Sequence, residues 1–430
     1  MKSISVFGLG FVGLPLSLTY TLYGVKVYGV DVNKEYVERL KKFDTHILEE
    51  YKGKSIKKIL KESIEKGLFE PTISAEAAMK NTNEIIVTVG IPVENEKVVM
   101  KPFDTAMKKI GKNLKRGDLV LIRSTVPPGT TKEVALPILE KESNLKGSKD
   151  FSLAYSSERI AEGNAFEEFQ TMPVTVAGID RESTKRGKAL LNIINKNIIE
   201  ASCPEVVEIS KLIENSSRDV NIAIVNELAS LTEKMGIETM EVINVANTHK
   251  RVKLLTPGIG VGGHCVPYSS YYIFYKAEKL GLKLSLLNTA REVNKKRPLQ
   301  IVDYIEDILA QAGKSIINTK FAILGVAMKD NSSDISESPA LQIQDIILRK
   351  GGKVLWYDPN VKGDFKEKRE SIEEALRGAE VLIIPIKQDL IKFDIKLISA
   401  LMKKKSIIFD SKELLNRREI EKAGFIYISI

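Results

Sequence analysis

This chain has too few residues of the right kinds for disulfide chemistry, a zinc cluster or a membrane span. It holds two cysteines, Cys203 and Cys265, and three histidines, His46, His249 and His264, in 430 residues. Two cysteines make no disulfide framework. Histidines without a neighbouring cysteine or carboxylate cluster make no structural zinc site, so no metal is expected. No apolar run reaches the ~20 residues that cross a bilayer. The opening Met1-Lys2-Ser3-Ile4 runs straight into a strand pattern, which leads to the expectation of a cytoplasmic chain with no signal peptide and no membrane partner. Repeats at solenoid spacing and low-complexity tracts are absent. The net charge of +9 is lysine spread along the chain. No basic run is interleaved with aromatics, so nucleic acid is not an expected partner. The charge reads as a solvated lysine-rich surface, with attraction for anionic ligands as the alternative.

What is present is a soluble globular composition, 43% hydrophobic and 28% charged, in a chain long enough for two or three cores. The first half alternates strand-like and helix-like segments, the signature of a parallel sheet. Strands are expected at Ser3–Phe7, Lys26–Val30, Glu84–Val89, Leu119–Ser124, Ser152–Tyr155 and Val174–Ala177. Most are continuous Val, Ile and Leu runs, as when helices cover both faces. From Pro204 to Met235 the pattern predicts one long helix of about 45 Å. Ser202 and Pro204 stand at its start and Gly236 at its stop. More helix is expected at Thr239–Ala246 and from Tyr271 to about Ala312. A second α/β block follows, with strands at Phe321–Leu324, Val354–Trp356, Val381–Ile384 and Ser406–Phe409. The expected fold is thus α/β: two Rossmann-like doubly wound domains joined by a long helix and a helical middle. The expected bounds are residues 1–200, 201–312 and 313–430.

Three patterns carry chemistry. Gly8-Leu9-Gly10-Phe11-Val12-Gly13 follows a strand and opens an apolar helix. Gly8 permits the turn, Gly10 lets the backbone approach a pyrophosphate, and Gly13 lets helix and strand pack closely. Asp31 ends the second strand, where an acid accepts bonds from a ribose diol and repels a 2′-phosphate, so NAD is the expected cofactor rather than NADP. In the second block Asp358 and Gly325 end strands in the same manner without the glycine fingerprint. The third pattern is Pro257-Gly258-Ile259-Gly260-Val261-Gly262-Gly263-His264-Cys265. Here four glycines in six residues would bring backbone close to a ligand and present a thiol to it.

In order along the chain, the motifs resemble the nucleotide-sugar 6-dehydrogenase family, that is, UDP-glucose and GDP-mannose dehydrogenases. The resemblance rests on Gly8–Pro15, Ser124-Thr125-Val126-Pro127-Pro128-Gly129-Thr130-Thr131, Ser157-Glu158-Arg159, Lys211-Leu212-Ile213-Glu214-Asn215 and Gly262-Gly263-His264-Cys265. Ser217–Ala223, Ala290–Asn294 and His249–Val252 look most like the branch acting on UDP-N-acetylmannosamine. UDP-N-acetylglucosamine and UDP-glucose are the alternative substrates.

The resemblance implies oxidation of a UDP-sugar C6 alcohol to a carboxylate with two NAD+ per turnover. Cys265 would form a thiohemiacetal and then a thioester, because a tetrahedral sulfur adduct donates hydride better than a bare aldehyde. Lys211 and Asn215, four apart on one helix face, would stabilise the alkoxide and contact the sugar. Glu158 and Thr125 would order water or assist proton transfer, Thr125 also on the cofactor side. Arg159, Arg251, Gly262 and Lys329 would bind the sugar nucleotide, Arg251 reaching into the neighbouring subunit of a homodimer or larger assembly.

Two positions depart from the family pattern. Ser269 stands where an aspartate is usual, and Ser336 where an arginine is usual. A serine hydroxyl cannot serve as a carboxylate base, so an impaired protein that only binds the sugar nucleotide is a further alternative.

Overall fold

A computed structural model describes residues 2–430, and the chain divides into two compact units. The first comprises residues up to Glu214 together with Tyr271–Lys283, and the second Asn215–Ser270 with Leu284–Ile430. Among the described residues no helix is long and apolar enough to cross a membrane.

The first unit is built on one eight-stranded sheet. Its strands are β1 (Ser3–Phe7), β2 (Lys26–Val30), β3 (Phe69–Thr72), β4 (Glu84–Val87), β5 (Leu119–Ile122), β6 (Ser152–Ser156), β7 (Val174–Gly178) and β8 (Ile198–Glu200). They lie in the order β3-β2-β1-β4-β5-β6-β7-β8, in which the first six follow the doubly wound order of dinucleotide-binding folds. All pairs are parallel except β6 with β7. β5 and β6 are buried along their whole length, which explains the unbroken apolar run Leu119–Ile122 of β5. The sequence pattern did not predict β3, because Pro71 interrupts it. An edge strand tolerates a proline, which has no N–H to give a neighbour. The reversal of strand order falls between β1 and β4, where α1 (Gly13–Leu22) begins.

The second unit contains a five-stranded parallel sheet. Its strands are β9 (Lys320–Leu324), β10 (Lys353–Tyr357), β11 (Val381–Ile384), β12 (Ile407–Asp410) and β13 (Ile426–Ser429), in the order β10-β9-β11-β12-β13. This too is a doubly wound order. The lone tryptophan, Trp356, is 1% exposed in its core beside Phe321, Ile343 and Ile347.

The long helix α2 spans Pro204–Met235, as expected, and stops at Gly236 in the left-handed conformation (φ +70°). The helical stretch expected from Tyr271 is corrected in two ways. Its first helix, α3, begins six residues earlier and spans Cys265–Lys279. The chain then breaks at Gly281 (φ +69°) before α4, Ser285–Gln311. The sequence hid the true start, since glycines up to Gly263 and Pro267 just past the cysteine read as loop.

Candidate active site

The cofactor cradle in the first unit is set by three glycines with different constraints. Gly8 has φ +91°, and a Cβ there would sit 2.9 Å from the Thr88 carbonyl oxygen. At Gly13 a Cβ would fall 1.8 Å from the Gly8 oxygen, so turn and helix start exclude any side chain. Gly10 has no protein atom within 4 Å of a Cβ. The space there is open for a ligand, so the fold itself does not demand glycine at that position. Asp31 Oδ2 accepts from the Leu9 N–H at 2.9 Å and Oδ1 from the Asn33 N–H at 2.9 Å, which holds the acid at the lip of the turn. Val12 is the residue before α1, and the half-exposed Phe11 ring meets His46 edge-on at 5.6 Å. Burial lowers the pKa of His46. Open backbone at Gly10, a helix N-terminus at Gly13 and a fixed acid fit a dinucleotide diphosphate and its ribose.

Thr125 is half-buried at the start of the loop after β5. Two residues earlier, Arg123 is 2% exposed and ion-paired to Glu158. The other Glu158 oxygen accepts from the N–H groups of Arg159 (2.7 Å) and Ile160 (3.1 Å). Glu158 therefore shapes its own loop and is paired to a buried cation. Arg159 is itself ion-paired to Glu214. Glu49 supports the same region: its carboxylate accepts from Gly163 N (2.7 Å) and Ala165 N (3.0 Å), and burial raises its pKa. Neither Arg123 nor Glu49 was picked out from the sequence. A signal existed for Arg123, a charge closing the apolar run Leu119-Val120-Leu121-Ile122. Lys211 lies half-buried in the third turn of α2.

In the second unit Cys265 is exposed and is the first residue of α3. A helix N-terminus carries free N–H groups and partial positive charge, which favour an anion. The thiolate is the nucleophilic form of cysteine. One turn into α3, Ser269 is 1% exposed and donates to the Cys265 carbonyl at 2.7 Å. Asn215 donates to the Ser269 hydroxyl at 3.0 Å and to the same carbonyl at 3.1 Å. The serine in the aspartate's place thus ties Asn215 to the cysteine's turn.

The glycines before Cys265 also make room for a neighbouring segment of the same unit. A Cβ at Gly262 would lie 2.8 Å from Pro339 Cδ and 2.9 Å from the Glu337 oxygen, and one at Gly263 (φ +73°) 2.2 Å from Met328 Sδ. Gly263 N–H also donates to the Ser336 carbonyl at 2.9 Å. These glycines let the loop lie against the segment Met328–Pro339. Ser336, in the arginine's place, contributes its backbone. Arg251 and Lys329 are exposed.

Upstream, the loop is held by a buried polar network. Asn226 accepts from Gly258 N (2.9 Å) and donates to Asn294 (2.9 Å). Asn294 donates to Asp219 (2.7 Å), and Arg291 pairs with Asp219 at 3.0 Å. Arg297 donates to the Gly258 carbonyl (3.2 Å) and pairs with Glu233 at 3.1 Å. In the five-stranded sheet, Asp358 is 1% exposed. It accepts from Val326 N (2.8 Å) and is capped by Gln388 at 3.0 Å. Its acid is used up inside the protein, unlike Asp31, so a nucleotide there cannot be held through it.

The sequence profiles of one family cover most of the chain. Residues 2–199 match the UDP-glucose/GDP-mannose dehydrogenase family NAD binding domain, 205–296 its central domain and 322–417 its UDP binding domain. The chain is 33% identical over 436 residues to the UDP-N-acetyl-D-mannosamine dehydrogenase of Methanocaldococcus jannaschii, covering 99% of this chain and 96% of that one. It is 33% identical over 381 residues to the enzyme of the same name from Pyrococcus horikoshii, covering 89% and 88%. The solved structure of the Pyrococcus horikoshii UDP-D-ManNAc dehydrogenase superposes with a TM-score of 0.91 at 31% identity, covering 100% and 99%. With its cofactor cradle, its cysteine turn and these matches, the chain belongs to the UDP-glucose/GDP-mannose dehydrogenase family and is an NAD-binding UDP-sugar dehydrogenase.

Proposed function

We propose that this enzyme oxidises UDP-N-acetyl-D-mannosamine at C6 to UDP-N-acetyl-D-mannosaminuronate. Support for the sugar comes from the Methanocaldococcus and Pyrococcus relatives. It comes also from Asp219, Arg291 and Asn294, which belong to the segments most like that branch and join in one buried network. NAD held by Gly8–Gly13 and Asp31 supplies the hydride acceptor.

The observation that carries the mechanism is the exposed Cys265 thiol at a helix N-terminus, with Asn215 fixed to the same turn. Oxidation of the C6 alcohol gives an aldehyde. Cys265 Sγ adds to its carbon, and the oxyanion takes up a proton to give a thiohemiacetal. Transfer of the remaining hydride from that carbon to a second NAD+, with loss of the hydroxyl proton to solvent, would leave a thioester. Water then cleaves the C–S bond, giving the carboxylate and the free thiol. Lys211 supplies positive charge, and Asn215 a donor N–H, to the developing alkoxide. Thr125 and the Glu158 loop line the water side. Arg159, Arg251, Gly262 and Lys329 contact the sugar nucleotide.

Val206, Ile209, Ile213, Ile224 and Leu231 leave exposed apolar side chains along α2, a stripe that a second copy would cover in a homodimer. Two free cysteines fit a reducing, cytoplasmic setting. We assign residues 1–200 to NAD, 201–312 to assembly and 313–430 to the UDP-sugar.

NADH absorbance with a panel of UDP-sugars tests the proposal. Two NADH per UDP-N-acetylmannosamine, abolished by Cys265→Ala, is expected. Faster turnover of UDP-glucose would overturn the sugar assignment. Calorimetric binding without NADH would favour a non-catalytic binding protein.

A further inference from the structure

The loop Ser124–Thr131 has few means of holding its own shape. Pro127 and Pro128 have no N–H to donate. Its internal bonds are those from Thr130, whose N–H and hydroxyl both reach the Pro127 carbonyl at 3.2 and 2.6 Å. The far end of the loop is instead gripped by one side chain of α2. Glu208 is 0% exposed. Its Oε2 accepts from the Gly129 N–H at 2.5 Å, and its Oε1 from the Thr131 N–H at 2.9 Å and the Thr131 hydroxyl at 2.6 Å. Gly129 cannot be exchanged freely, since its φ of +88° is a backbone conformation that residues with a side chain rarely adopt. One turn earlier on α2, Glu205 pairs with Lys132 at 3.1 Å. Beyond the loop the chain makes a turn of π-helix at Thr131–Ala135, an irregularity that needs outside support.

We infer that Glu208 is a positioning residue for the dehydrogenase reaction, fixing the loop that carries Thr125 against the turn of α2 that carries Lys211. Glu208 and Lys211 are three apart and share a face of the helix, so one short stretch of α2 both grips the loop and presents the lysine. A carboxylate is suited to this because it can accept three bonds at once, whereas an amide has one acceptor oxygen and would turn its NH2 toward an N–H. Burying an acid is costly unless every lone pair facing protein is used. Here three donors converge on it.

The inference rests on the assignment of Thr125 and Lys211 to the site, and the test separates the two. In the full-length enzyme, Glu208→Gln keeps the shape and removes the charge. The expected result is a kcat lower by about 10- to 100-fold, the cost of a small misplacement at a reacting centre. NAD+ affinity by fluorescence titration and the circular dichroism spectrum should stay within about twofold of wild type. A variant that is merely less stable would lose neither kcat per folded molecule nor the kcat-to-KM balance. A kcat within about threefold of wild type, while Thr125→Ala and Lys211→Ala each lose more than about tenfold, overturns the role of Glu208. Should those two variants themselves be harmless, the assignment of the site fails instead. If Glu208→Gln does not fold, Thr131→Val removes one of the three bonds without changing shape. A fall in kcat of about three- to tenfold at unchanged NAD+ affinity is then expected, and an unaltered kcat overturns the inference.

Discussion

The side-chain amide of Asn215 donates to the hydroxyl of Ser269 at 3.0 Å, and that hydroxyl in turn donates to the carbonyl of Cys265 at 2.7 Å. A helix residue and the nucleophile's own turn are thereby joined through a serine that carries no charge. Ser269→Ala should remove one bond to Asn215 and lower kcat about 3- to 10-fold, the worth of one net hydrogen bond. Binding of UDP-sugar by calorimetry should change little. No change in kcat would show that Asn215 is held by the Cys265 carbonyl alone.

Gly10 and Gly13 should separate cofactor binding from folding. Gly10→Ala adds a methyl in open space, so its melting temperature should match wild type while KM for NAD+ rises about tenfold or more. Gly13→Ala drives a Cβ onto the Gly8 carbonyl, and a loss of about 2–3 kcal/mol is expected from overpacking. Melting curves with and without NAD+ read both.

The loop before Cys265 offers a parallel contrast. Gly258 has nothing within 4 Å of a Cβ, so Gly258→Ala should stay within about 0.5 kcal/mol of wild type. Gly262→Ala presses on Pro339 and the Glu337 carbonyl. It should destabilise by about 1–3 kcal/mol and slow the reaction of Cys265 with substrate. Equal effects of the two substitutions would show that the packing against Met328–Pro339 does not seat the loop.

Glu84 gives a pH dependence of known sign. Burial raises its carboxyl above the ordinary 4.5, against the pull of Arg186 at 3.4 Å, and its Oε2 is buried without a partner. The folded state therefore keeps a proton that the unfolded chain has released. This stability is fully present below the unfolded pKa and is lost as pH rises through the higher folded value. Glu84→Gln removes that loss. At pH 8 it should melt above wild type, and the gap should close toward pH 4. A less stable variant at pH 8 would mean that the Arg186 pair outweighs the burial cost.

Much of this enzyme was legible in its residues because the signals are local. The fingerprint Gly8–Gly13, the acid Asp31 and the bounds of α2 follow from turn chemistry, periodicity and capping, which act over a few residues. The parallel sheets were legible for the same reason, as runs of Val and Ile such as Val381–Ile384. Three of the four edge strands, β3, β8 and β13, were not, while the fourth, β10, was legible through its apolar run Val354-Leu355-Trp356.

The sequence by itself determined which chemistry the chain carries: a dinucleotide turn, a thiol, a lysine and an asparagine one helical turn apart. What each of these residues leans on was decided by tertiary structure alone. The glycines Gly262 and Gly263, read in sequence as a ligand approach, also leave clearance for Pro339 and Met328. Glu158 was already committed to Arg123, and Glu208, unremarkable in sequence, gathered three donors from 77 or more residues away. The physical reason is that hydrogen bonds and steric exclusion act at about 3 Å, and contacts across such separations along the chain exist only after the sheets and helices have brought their partners together.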